Sequence, residues 1–215
     1  MRRVVTITGM LLLGVVTLSG QQASLTQGQI RTSEREVPEL VRLLELKPGM
    51  TVADVGAGFG AWTVSFAKFL GPSGRVYATD IGAQQLAAIR EYAQKEGLAN
   101  VTVLEGAANS TNLPALCCDA ILIRDAYHHL TQPVDIIKSL AAALKPGGRL
   151  AVIDFPPRAK SSLPAGVPEN RGGHGVPSAV VEQEVGAVLT HVRTLPAWMD
   201  GSEPASLFLV LFRKP

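Results

Sequence analysis

The chain has 215 residues, 47% of them hydrophobic and 18% charged, with a formal net charge of +2. That is enough chain to bury one substantial core, so a single globular domain is expected. A near-neutral balance with no cluster of Lys and Arg argues against a broad phosphate-contacting surface, and so against nucleic-acid partners.

Met1-Arg-Arg is followed by an almost uncharged apolar stretch, Val4 to Leu18. A basic start, a short apolar run and small residues around Ser19 read as a secretory signal over residues 1–19, too short for a comfortable membrane span. A retained anchor helix or a mistaken start codon is the alternative. An exported, periplasmic or secreted location follows if the signal is used, and a cytoplasmic one if it is not. Membrane contact is expected only through this segment, if it is retained. Residues 20–32 are polar and read as a flexible linker, and residues 33–215 as the folded domain. Ser33-Glu-Arg-Glu36 has the form of a capping box, with Val37, Leu40, Val41 and Leu44 following at helical spacing.

Val52-Ala-Asp-Val55 reads as a buried strand and Ala61 to Leu70 as an amphipathic helix, so Gly56, Ala57, Gly58 and Gly60 make the turn between them. A backbone without Cβ atoms lets a ligand approach closely at such a turn, beside the positive end of a helix. The spacing is Gly-x-Gly-x-Gly and not the Gly-x-Gly-x-x-Gly of dinucleotide binding. A tight turn with no ligand is the alternative. Gly74 to Asp80 reads as a second strand, ending in a carboxylate about 20 residues on that can accept both hydroxyls of a ribose. Its alternative is a helix N-cap.

Gln84 to Glu96 reads as a helix stopped by Gly97, Val101 to Leu104 as the third strand and Asp119 to Ile123 as the fourth. Thr131 to Leu144 reads as a helix, Arg149 to Phe155 as the fifth strand and Ser178 to His191 as the last helix. Thr190–Trp198 and Ser206–Arg213 form an antiparallel hairpin. Cys117 and Cys118 are the only cysteines. A disulfide between neighbours is strained, so they read as two small apolar residues near a buried strand, with a thiophilic metal site as the lesser alternative.

Asp54 with Gly56, Gly58 and Gly60, then Asp80, then Leu144-Lys-Pro-Gly-Gly-Arg-Leu-Ala-Val-Ile-Asp154, resemble the successive motifs of class I S-adenosylmethionine-dependent methyltransferases. The resemblance runs from about Glu34 to the C-terminus. It implies an α/β, Rossmann-like fold: a seven-stranded, mostly parallel sheet with helices on both faces and a C-terminal antiparallel hairpin. It also implies S-adenosyl-L-methionine as cofactor. Asp54, Gly56, Ala57, Gly58 and Gly60 would hold its methionyl part, Asp80 the ribose, and Ala107 and Ala108 the adenine, with Ile81 and Arg124 as further cofactor-binding residues. Related enzymes often place an acidic residue against the adenine, and this chain has Ala107 or Ala108 there, which leaves backbone atoms and Asn109 for the ring.

Arg124-Asp-Ala-Tyr-His-His-Leu130 resembles the segment after the fourth strand in many small-molecule methyltransferases. Asp125 and His128 are accordingly the expected catalytic residues, positioning the acceptor or taking its proton. His128 and His129 cannot both point one way, and no third ligand stands at useful spacing, so no metal is assigned. Pro156 to Pro177 reads either as an acceptor lid, with Arg158, Arg171 and His174 meeting an acidic acceptor, or as a disordered insertion. The expected function is in-line methyl transfer to a small-molecule acceptor. An exported, non-catalytic binding protein of the same fold is the second reading, and a nicotinamide-dependent oxidoreductase is disfavoured by the glycine spacing and the hairpin.

Overall fold

A computed structural model describes residues 24–158, 160–199 and 207–215. The expected signal segment and the tip of the terminal hairpin lie outside the described residues. Among those described, no helix is long and apolar enough to cross a membrane.

Helix α1 spans Gln27–Leu43 and starts earlier than its sequence suggests. Thr26 and Gln29 form the capping box, each side chain bonding the other's backbone. Ser33, read as the cap, instead lies buried inside the helix, where its hydroxyl meets that of Ser65 at 2.9 Å. The expected linker therefore ends by Thr26. Both tetrads have the same form, and the structure uses the one that lets Val37, Leu40 and Leu43 reach the core from a longer helix.

Strand β1 (Thr51–Val55) is followed by α2 (Ala61–Leu70), β2 (Arg75–Asp80), α3 (Ala83–Lys95), β3 (Val101–Glu105) and β4 (Cys118–Arg124). A 3₁₀ turn, Tyr127–His129, leads into α4 (Pro133–Ala143), β5 (Leu144–Asp154), a second 3₁₀ turn at Glu169–Arg171, α5 (Ser178–Gly186), β6 (Thr190–Leu195) and β7 (Phe208–Arg213). The seven strands lie in the order β3-β2-β1-β4-β5-β7-β6. β1 to β5 pair in parallel, and β7 runs antiparallel to both β5 and β6. Fold class and terminal hairpin are as expected.

Both faces of the sheet are covered, and the strands alternate between two cores. Ala53, Ile121, Ile123, Val210 and Phe212 face α4 and α5 with Ile137, Leu140 and Val181, whereas Val52, Leu122, Leu209 and Leu211 face α1 and α2 with Leu40, Phe66 and Leu70. This alternation leaves the polar ends of β1, β2, β4 and β5 together at one rim, where ligands of doubly wound sheets bind. A groove of about 410 Å³ between α1 and α2 contains none of those rim residues.

Cys117 and Cys118 are joined as a disulfide between neighbours, against the expectation of two unlinked apolar residues. The bridge closes no stretch of chain and so does not staple the fold. Cys118 is fully buried at the start of β4, as its apolar character requires.

The segment 156–177 is a packed connection and not a disordered insertion. Val167, Arg171 and Val176 are buried in it, and the guanidinium of Arg171 donates to both carboxylate oxygens of Glu184 on α5 at 2.8 and 3.0 Å. Tyr127 donates its hydroxyl to the same carboxylate at 2.7 Å. Burial pushes the Tyr127 hydroxyl pKa up, and the adjoining Glu184 charge reinforces it. Arg171 is fully buried, so its expected role of meeting an acidic acceptor is replaced by one of holding the connection down.

Candidate active site

The turn after β1 is shaped by its glycines. Gly56 has φ +70°, and a Cβ there would stand 2.6 Å from the Cβ of Ala126. Gly58, at φ +54°, has no protein atom within 4 Å of where its Cβ would lie. The first glycine thus lets the turn touch the segment after β4, and the second leaves a bare backbone surface facing open space. The amides of Gly56 and Ala57 both donate to the Thr79 carbonyl, at 2.8 and 3.0 Å, and the Gly58 amide donates to Asp80 at 2.9 Å. With these three amides turned inward, the turn offers little to a pyrophosphate and suits a ligand without phosphates.

Asp80, at the end of β2, accepts from Gly58 on one carboxylate oxygen and from Gly82 on the other, each at 2.9 Å. The two contacts aim the carboxylate across the mouth of the turn while each oxygen keeps a lone pair for a ribose hydroxyl. Asp80 is not the N-cap of α3, which is Gly82 without a side-chain cap bond, so its carboxylate braces the turn and remains an acceptor. Ile81 follows it with 72% of its surface exposed, an apolar face beside the loop after β3. In that loop the Ala107 amide is bonded to the Ser110 carbonyl at 2.7 Å, whereas the Ala108 amide bonds to no described residue. The Ala108 amide is thus the one of the two left open to a ligand.

Asp54 is almost fully buried and accepts a 2.6 Å hydrogen bond from the Thr63 hydroxyl. Burial pushes its pKa up to about 6, only partly offset by Thr63, with the Asp80 charge adding to the rise. A carboxylate this poorly compensated favours a cation beside it. The ammonium of a methionyl group would supply one, so the residues at this rim fit S-adenosylmethionine.

Arg124, at the end of β4, pairs with α1 while its charge still acts on Asp54 and Asp125 at the rim. Its guanidinium makes two bonds to Glu36, at 2.9 and 3.1 Å, and lies 4.0 Å over the ring of Trp62, whose indole donates to the same carboxylate at 2.9 Å. The guanidinium is thus committed to clasping α1, α2 and β4 together. Glu36 carries no sequence signal of this role, because its partners stand 26 and 88 residues away.

Past β4 the chain bends sharply. Asp125 holds φ +55°, uncommon for a residue with a side chain, and its amide is anchored on the Ile153 carbonyl at 2.8 Å. Its carboxyl pKa is pushed up by partial burial and by Asp154, against the pull of Arg124, His128 and Arg158. His128 is buried, with its Nδ1 2.8 Å from Asp154 and its amide donating to the same carboxylate at 3.0 Å. Asp154 is itself fully buried at the end of β5. The pair fixes the imidazole so that Nε2 is the nitrogen left for other partners. Asp154 stood in the sequence only as the last residue of the motif that begins at Leu144, and nothing local marks it as the partner of His128.

Residues 52–148 match the family model described as a methyltransferase domain. The ubiquinone/menaquinone biosynthesis C-methyltransferase of Ectopseudomonas mendocina is 33% identical over 116 residues, covering 54% of this chain and 45% of that protein. The demethylmenaquinone methyltransferase of Listeria monocytogenes is 29% identical over 116 residues, covering 54% of this chain and 49% of that one. The chain spans about half the length of the curated relatives it matches. Among solved structures, a SAM-dependent methyltransferase from Aquifex aeolicus superposes with a TM-score of 0.65 at 25% identity, covering 89% of this chain and 100% of that one. With this geometry, the match of residues 52–148 identifies a methyltransferase domain, and the likenesses imply S-adenosylmethionine as its cofactor.

Proposed function

We propose that the protein transfers a methyl group to a small-molecule acceptor bound beside Asp125 and His128. The contact of Ala126 with Gly56 carries this reading, because it sets the segment holding both residues directly against the cofactor turn. When bound, S-adenosylmethionine supplies an electrophilic methyl on a sulfonium. The chain's part is to hold the acceptor in line and to take a proton where the acceptor must lose one. Asp80 and the Ala108 amide orient the nucleoside end and Asp54 the ammonium end, which leaves the reacting face toward the 3₁₀ turn. Asp125, strained and raised in pKa, suits proton removal, and His128, locked by Asp154, suits acceptor positioning. The relatives' names support a small acceptor of the quinone precursor kind.

The test is S-adenosylhomocysteine release from the purified protein over a panel of phenols, hydroquinones, thiols and amines. Turnover of at least one small acceptor, weakened about 10²-fold or more in Asp125→Asn, is expected. Cofactor binding with no turnover anywhere in the panel would overturn the assignment. Export through residues 1–19 is a further part of the proposal, supported by the basic start and apolar run. Cell fractionation with an antibody to the folded domain checks it, and a wholly cytosolic protein of full length would remove it.

A further inference from the structure

Three of the chain's four histidines meet at one point of the fold. His128 and His129 come from the 3₁₀ turn after β4, and His174 comes from the connection between β5 and α5. One ring nitrogen from each lies within 4.8 Å of the others. The ring centroids are 4.0 Å apart for His128 and His129, 4.9 Å for His128 and His174, and 5.6 Å for His129 and His174. Adjacent residues in an extended chain would diverge, but the tight turn carries His129 only partly round from His128, and the returning connection supplies the missing third imidazole.

We propose that His128, His129 and His174 form a binding site for a divalent transition-metal ion of the zinc type. Three observations argue for it beyond proximity. Neutral imidazoles are the preferred ligands of such ions, and three of them with one open position make the usual unsaturated tetrahedral set. Asp154 holds Nδ1 of His128, which is the carboxylate-to-imidazole support that orients a ligating histidine and directs Nε2 outward. No ring nitrogen of His129 or His174 is hydrogen-bonded to a described residue, although His174 is half-buried.

His174 is placed with care. Its amide donates to the Ser161 hydroxyl at 2.8 Å, and its carbonyl accepts from the Arg158 amide at 3.0 Å. The next residue, Gly175, has φ +122°, and a Cβ there would lie 2.7 Å from the Pro156 carbonyl oxygen, so only glycine lets the returning chain come this close. The carboxylates of Asp125 and Asp154 flank the three rings, while Arg124 is neutralised by Glu36 and Arg158 lies over the Phe155 ring. An alternative set, Asp125 with His128 and Asp154, also gathers within 4.8 Å, but there the histidine nitrogen and the Asp154 oxygen already satisfy each other.

The ion would tie the segment 156–177 to the end of β4 and present its open position toward the acceptor side of the cleft. This goes beyond the methyl-transfer proposal and does not depend on it. Untagged full-length protein is stripped with a chelator and titrated with Co²⁺, followed by the visible absorption of four-coordinate cobalt, and with Zn²⁺ in competition with a chromophoric chelator. One equivalent should bind. His129→Ala and His174→Ala should each weaken binding at least about tenfold, and Asp154→Asn by roughly 10- to 100-fold. His191→Ala, at the fourth histidine on β6, should leave it unchanged. Circular dichroism keeps loss of fold apart from loss of ligand. Failure of wild-type protein to take up either ion, or equal affinity in His129→Ala and His174→Ala, would reduce the cluster to an imidazole stack and overturn the proposal. Neither outcome touches S-adenosylhomocysteine release, so the two proposals fail separately.

Discussion

The two sides of the cleft are built differently. The cofactor side is made mostly by a turn and two strand ends over residues 54–82, with the loop after β3 beside them, and backbone amides with the Asp80 carboxylate fix the shape of the turn. The acceptor side is assembled from the 3₁₀ turn after β4, the end of β5, the connection 156–177 and α5, all held by side-chain pairs. A binding surface made of backbone depends on a few glycines and tolerates little else. One made of paired side chains can change by single substitutions while the sheet beneath it stays as it is.

Breaking the acceptor side alone should have the largest effect. Arg171→Ala leaves Glu184 charged and partly enclosed, a loss of about 3–5 kcal/mol for a buried pair with one partner removed. The expected result is rapid proteolysis between residues 156 and 177 with S-adenosylmethionine affinity close to that of the unaltered protein. Equal loss of both would mean that the two sides are one cooperative unit. On the other side, Gly56→Ala forces a side chain into a left-handed backbone and against Ala126, costing about 2–4 kcal/mol. Thermal unfolding should show it, and cofactor affinity should fall with it.

Asp80→Ala should act more narrowly. It leaves the Gly58 and Gly82 amides without their acceptor and removes the ribose contact, so calorimetry should give an affinity about 10- to 100-fold lower. An unchanged affinity would end the ribose assignment. The smallest effect is a pH dependence. Because the folded pKa of Asp54 is raised to about 6, the ligand-free fold binds an extra proton and is favoured at low pH, and that advantage fades as pH rises through 6. Cofactor binding runs the other way, since the ammonium needs the ionised carboxylate. Affinity should weaken by about tenfold for each pH unit below 6, and Asp54→Asn should flatten the profile.

The same contrast explains what could be read in advance. The glycine turn, the strand end at Asp80 and the succession of strands and helices along the chain were legible because each is a local pattern whose meaning does not depend on distant partners. The acceptor side was legible only as a collection of polar residues. His128 could be named, but Asp154 became its partner only when β4 and β5 paired, and Arg171 looked free until Glu184 met it. Arg124 could be named from its position after β4, but its pairing with Glu36, 88 residues earlier in the chain, could not be read from either residue alone. Ser33 misled for a different reason: two tetrads of capping form stood seven residues apart, and only the packing of α1 decided between them.

The clasp of Glu36 on Arg124 and Trp62 bears on how small a working version of this protein can be. The match to the family model begins at residue 52, yet the residue that neutralises Arg124 at the end of the fourth strand arrives on the helix before it. A trimmed domain cut to the matched boundaries would carry an unanswered guanidinium at the lip of its own cavity. Anyone shortening the chain for display or fusion should therefore begin no later than Thr26.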